Sequence, residues 1–176
     1  MAAWRPAAVL GAAAVVAAAS IVIALGSGAA ANAPSITAAA RLAFAPASSP
    51  APTASSSSYL DVSYGGVTFP NYARLGSVAT GRLTNRVGGR PALTVFYRLR
   101  NGARLSYTVF SGKPVGLPAA ARLVSFDGVP LRVYRTADGL SVVTLVRRGR
   151  TCVLAAATPP SVVLGLAAEP VLTEQD

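Results

Sequence analysis

Between residues 93 and 109 apolar and polar positions alternate with a period of two. Leu93, Val95 and Tyr97 alternate with Thr94, Phe96 and Arg98, and Leu105, Tyr107 and Val109 with Arg104, Ser106 and Thr108. That period predicts two strands joined at Arg100-Asn101-Gly102. A two-residue loop would oppose Leu99 to Arg104 and mix the faces. A three-residue loop with Gly102 left-handed pairs Tyr97 with Leu105 and Val95 with Tyr107, and keeps the faces apart. A second hairpin, 122–135, turns at Asp127-Gly128, which suits a type I′ turn and sets Val124 opposite Leu131. Pro130 then opposes Ser125, which signals a sheet edge or a break. Residues 140–147 and 150–156 are apolar on both faces, so these strands should be central and covered on both sides. Shorter strands are expected at 59–62 and 67–70, and residues 161–168 read as a short capping helix after Pro159-Pro160. Residues 74–89 look turn-rich and yield no element. The predicted fold is mainly β: an antiparallel meander sheet or sandwich-like domain with a short C-terminal helix.

A different pattern governs the N-terminus. Residues 6–40 carry no charge, and 7–25 are almost wholly apolar. As a helix that stretch is roughly 28 Å long, close to the ~30 Å of a bilayer core. Arg5 and the terminal amine precede it and no cation follows until Arg41, so the N-terminus should stay cytoplasmic and the rest be exported. The length of the run favours a retained single-pass anchor over residues 7–28. Ala29-Ala30-Ala31 keeps signal-peptide cleavage near Ala31, and secretion, open as the alternative. Residues 29–58 are rich in Ala, Ser and Pro and read as a disordered, flexible linker, with a weaker signal for an amphipathic helix at 36–44 next to the membrane. The expected organisation is a cytoplasmic N-terminus (1–6), the membrane helix (7–28), the linker (29–58), an extracytoplasmic β domain (59–168) and a flexible tail (169–176).

Composition narrows the chemistry. The chain has no histidine and one cysteine, which removes Ser-His-Asp and Cys-His systems and an ordinary zinc site. The acidic residues are Asp61, Asp127, Asp138, Glu169, Glu174 and Asp176; two fall in predicted turns and three in the C-terminal tail, a poor basis for a carboxylate pair. Cys152, within an apolar strand, reads as a core thiol. No catalytic residue, metal ligand or cofactor site is expected, and the protein is not expected to be an enzyme. Gly65-Gly66 and Gly88-Gly89 lead into no helix and read as turns, not phosphate loops. The net charge is +10, carried by fifteen arginines and Lys113. For an exported domain, anionic envelope polymer or anionic lipid is a better partner than nucleic acid. The registers put Phe96, Phe110 and Tyr134 on the face away from the main core, among Arg98, Arg104 and Arg132. These six residues form the candidate interaction surface, although packing against other elements explains the aromatics as well.

Several pieces occur in a familiar order: residues 66–72 (GVTFPNY), 94–97 (TVFY), 106–112 (SYTVFSG), 128–134 (GVPLRVY) and 151–154 (TCVL). Together they resemble the exported C-terminal half, with its transmembrane helix, of actinobacterial membrane-anchored anti-sigma factors. The resemblance implies an outer β-rich sensory domain that works through contacts with an envelope or regulatory protein. The family's cytoplasmic inhibitory module needs a His-x3-Cys-x2-Cys signature, and only residues 1–6 stand on that side here. No functional residue carries over, and no direct binding of a sigma factor is expected from this chain. A stand-alone relative, a split protein and a gene start placed too late all remain open. The expected function is therefore a membrane-anchored, non-catalytic sensory or interaction domain; the alternative is a secreted or anchored basic β domain that binds anionic cell-envelope polymer.

Overall fold

A computed structural model describes residues 35–112 and 116–173. Two meanders meet in the middle of one seven-stranded antiparallel sheet. The first comprises β3 (Val78–Val87), β4 (Arg90–Arg98) and β5 (Arg104–Ser111). The second comprises β6 (Arg122–Phe126), β7 (Val129–Arg135), β8 (Ser141–Arg147) and β9 (Arg150–Ala156). Their order is β3-β4-β5-β9-β8-β7-β6, so β5 and β9 join the halves. The register of the first hairpin is the expected one, Tyr97 opposite Leu105 and Val95 opposite Tyr107. In the second, Val124 faces Leu131 and Ser125 faces Pro130. Asp127 and Gly128 have φ of 49° and 81°, as a type I′ turn demands. Central β8 and β9 are buried along nearly their whole length, as their two-sided apolar pattern predicted.

Both faces of the sheet are covered. One face presents Val95, Tyr97, Leu105, Tyr107, Val109, Leu131, Val143 and Leu154. It lies under a two-stranded ribbon, β1 (Tyr59–Tyr64) with β2 (Val67–Pro70), and under a C-terminal helix, α2 (Pro160–Thr173). The ribbon supplies Leu60, Val67 and Phe69; α2 supplies Val163, Leu166, Ala167 and Ala168. The opposite face presents Phe110, Tyr134, Val142, Val153 and Ala155, and is covered by α1 (Ile36–Ala40) and a 3₁₀ turn, Arg41–Phe44. Ser35 caps α1, its hydroxyl accepting from the Ala38 amide at 3.0 Å. Ala39, Ala40 and Ala43 let the helix approach the sheet closely, and Ile36 is wholly buried.

Three expectations are corrected here. Within the Ala/Ser/Pro-rich stretch assigned to a linker (29–58), residues 35–43 are packed on the sheet, and residues 44–58, largely exposed, are tied to it by hydrogen bonds. Beyond α1 the chain crosses the sheet: the Ala45 carbonyl accepts from Arg104 Nη2 at 2.6 Å. Ser49 then exchanges backbone hydrogen bonds with Arg82 on the outer edge of β3, each 3.1 Å. The small residues that looked like disorder are what a strap lying on a sheet requires. A Cβ at Gly81 would come within 2.6 Å of the Ala47 Cβ, so the strap fits only over a glycine. At Ser49 the strap also pairs one point of the outer edge of β3. Second, β3 itself runs through 78–87, where no element was expected. Its bulge at Gly81 and its half-exposed, polar composition hide the alternation. Third, the helix expected at 161–168 continues to Thr173, taking in Glu169 and Pro170 that were assigned to a flexible tail.

The predicted membrane helix, 7–28, lies outside the described residues. Among the described residues, no helix is long and apolar enough to cross a membrane.

Candidate binding groove

The six residues of the expected interaction surface do share one face, but α1 and the strap lie on it. Phe96 and Phe110 are fully buried and Tyr134 is 6 % exposed. The Arg104 guanidinium sits 4.0 Å from the Phe96 ring centroid, closing over it. Tyr134 Oη is 3.5 Å from Thr37 Oγ1 on α1, and burial raises its pKa. Only Arg98, Arg104 and Arg132 are exposed, and Arg132 stands on β7 in the other meander. The aromatic members of the set are thus core residues of a second packed face.

An opening not anticipated from the sequence lies on the other side. A groove of about 600 Å³ runs between the first half of α2, the β4–β5 turn and a 3₁₀ turn, Tyr72–Leu75. Leu75, Leu99, Val162 and Leu166 give it apolar walls; Arg100, Ser77 and Asn101 add polar groups. Leu75 and Val162 are 48 % and 41 % exposed, large apolar side chains left facing solvent.

Hydrogen bonds tie the walls together. Pro170 has no N–H to give the carbonyl four residues back, that of Leu166. Tyr72 Oη donates to this carbonyl instead, locking the 3₁₀ turn to α2. Burial raises the Tyr72 pKa well above 10.0, so the phenol remains a neutral donor. Asn101 Nδ2 donates to Thr158 Oγ1 at 3.1 Å, tying the β4–β5 turn to the start of α2. Ser141 Oγ donates to the Thr158 carbonyl at 2.5 Å. At Gly76, φ of 74° ends the 3₁₀ turn in the left-handed region that favours glycine, and the Arg100 stem passes beside it. The Arg100 guanidinium makes no hydrogen bond or ion pair among the described residues. Ser77 is only 4 % exposed, and its hydroxyl has no partner among them either.

Beneath the ribbon lies an aromatic interior with one buried cation. Phe69 and Tyr107 meet edge-on at 5.3 Å, and Tyr72 and Tyr97 at 5.1 Å. Tyr97 Oη donates to the Pro70 carbonyl at 2.9 Å. Arg147, 4 % exposed, donates through Nη1 to Tyr107 Oη at 3.0 Å and reaches the Thr68 carbonyl at 3.5 Å. Cys152 is buried in this core. Among the described residues no group of three or more His, Cys, Asp or Glu side chains is placed to hold a metal.

Glu169, half-buried on α2, has its pKa raised above the ordinary 4.5, chiefly by burial and against the pull of Arg74 and Arg147. A carboxyl that binds its proton more tightly when folded stabilises the fold below its unfolded pKa. That contribution is lost as pH rises through the folded value. Glu169→Gln should therefore be more stable than the parent at pH 7, by less than about 1 kcal/mol after solvent screening. The gain should vanish near pH 4, where both carry a neutral side chain. Urea unfolding at the two pH values checks this; equal stability at pH 7 would refute it.

No protein-family model, no curated protein and no solved structure matches this chain.

Proposed function

We propose that this protein is a membrane-anchored extracytoplasmic sensory or interaction domain, non-catalytic, akin to the outer half of an anti-sigma factor. The observation that carries the reading is the groove: apolar, rigidly walled, and furnished with an unpaired Arg100 and Ser77. Concave apolar sites with a few placed polar groups are where proteins hold ligands. The apolar run 7–28 and the charge asymmetry around it support an anchor with the domain outside. The arginines favour the groove over polymer binding by the whole surface. Arg82 lies opposite Val95 and so on the ribbon side, whereas Arg98, Arg104 and Arg132 lie on the strap side, so they do not gather into one patch.

Fractionation of cells making the full chain with a C-terminal tag tests the placement. The expected result is recovery in a carbonate-washed membrane fraction, with the tag digested by protease added outside intact spheroplasts. Recovery of intact protein in the soluble cell interior would sink the proposal, and full release into the medium would favour the secreted alternative.

A further inference from the structure

We infer that the groove between α2, the Tyr72–Leu75 turn and the β4–β5 turn binds a single-chain anionic amphiphile, a long-chain carboxylate. The inference rests on the reading of this domain as a binding module and names the ligand class of its groove. Three observations converge on it. The walls formed by Leu75, Leu99, Val162 and Leu166 offer an apolar body a place out of water. Among the described residues the only ionised group on the lining is a cation, Arg100, and Ser77 adds a hydroxyl without a partner there. A guanidinium with no ion pair, beside an apolar trough with no carboxylate in it, is complementary to one negative head on an apolar chain.

The backbone of the walls argues against an added peptide strand. An extended peptide needs unpaired main-chain groups to add to. Here the Leu99 amide bonds to Ala103, Gly102 to Leu99, Gly76 to Ala73 and Ser77 to Tyr72. The α2 wall is bonded within the helix. What the groove offers is surface and one charge, which suits a ligand with no backbone of its own.

The test uses the full chain in phospholipid nanodiscs with palmitate carrying a diazirine in its chain, and the matching C16 alcohol as the uncharged probe. After irradiation, labelled residues are mapped by mass spectrometry. Labelling should concentrate at Leu75, Leu99, Val162 and Leu166, with the carboxylate about tenfold more effective than the alcohol at low probe concentration. Arg100→Ala should bring the two probes to parity while leaving alcohol labelling unchanged. Val162→Glu, at an already exposed position, should abolish labelling by both. Labelling spread evenly over the surface, or a carboxylate preference that survives Arg100→Ala, would overturn the inference. So would equal labelling by a two-chain diazirine phosphatidylglycerol, which would assign the groove to membrane lipid. Membrane recovery without groove labelling would overturn the ligand alone, whereas loss of membrane recovery would overturn the anchored reading.

Discussion

Replacing Ile36 with Asp should unfold the domain or leave it with a small fraction of its stability. Ile36 is fully buried at the start of α1 and rests against the sheet face that carries Phe110, Val142, Val153 and Ala155. Truncating such a side chain costs about 2–4 kcal/mol, the size of many small domains' whole margin. A carboxylate there adds the expense of an unpaired charge in an apolar contact. Ile36→Ala should lower stability by about 2–4 kcal/mol, and Ile36→Asp by more. Urea denaturation followed by circular dichroism measures both. If residues 35–58 were a passive tether, neither change would matter, so an unchanged midpoint for Ile36→Asp would overturn the packed strap. The comparison is sharp because Phe44, in the same segment, is 60 % exposed, and Phe44→Ala should be nearly neutral.

Arg147→Ala should be the next most damaging change, with a loss of about 3 kcal/mol or more. The substitution leaves Tyr107 Oη and the Thr68 carbonyl without this donor in a closed interior, each unsatisfied group costing about 1–3 kcal/mol, and opens a void beside Tyr107. Arg147→Met should cost less than Ala, because it refills the volume, but it leaves the same two acceptors without their donor and so should still lose about 1 kcal/mol or more. The order of the two variants in urea separates a charge retained for bonding from one that merely fills space. Met as damaging as Ala would show that the guanidinium's hydrogen bonds, not its bulk, hold β2 against the sheet.

What could be read from the chain, and what could not, divides along physical lines. The hairpin registers were legible because side-chain alternation decided between the loops that the turn residues allowed. Arg100-Asn101-Gly102 and Asp127-Gly128 place the turns, and in the first hairpin Val95, Tyr97, Leu105 and Tyr107 fix the faces. The burial of β8 and β9 was legible from runs that are apolar on both sides. By contrast, β3 escaped because its outer positions are Thr80, Arg82, Thr84 and Arg86 and its alternation breaks at a bulge. The strap escaped for a related reason. Ala, Ser and Pro bury little surface per residue, so their packing depends on a partner sheet that local sequence cannot announce. The candidate site was affected too: with the strap taken as loose chain, the sequence named neither α1 nor the strap as the cover that buries Phe96, Phe110 and Tyr134. The groove was illegible because its walls come from three segments, at 72–77, 99–101 and 161–166, brought together by bonds such as Tyr72 to Leu166. One clue did exist. A proline inside a helix, as at residue 170, leaves a carbonyl that something distant must satisfy.

The order of the strands in the sheet has a consequence for how the chain matures. The floor on which α1 lies draws on β5, β7, β8 and β9, and the last of these ends at Ala156. The segment synthesised earliest in the domain therefore has nothing to settle against until almost all the rest has appeared. Contacts this distant in sequence form slowly. A chain crossing a membrane from its N-terminal end would keep residues 35–47 waiting, and the oldest part of the domain would be the last to find its place.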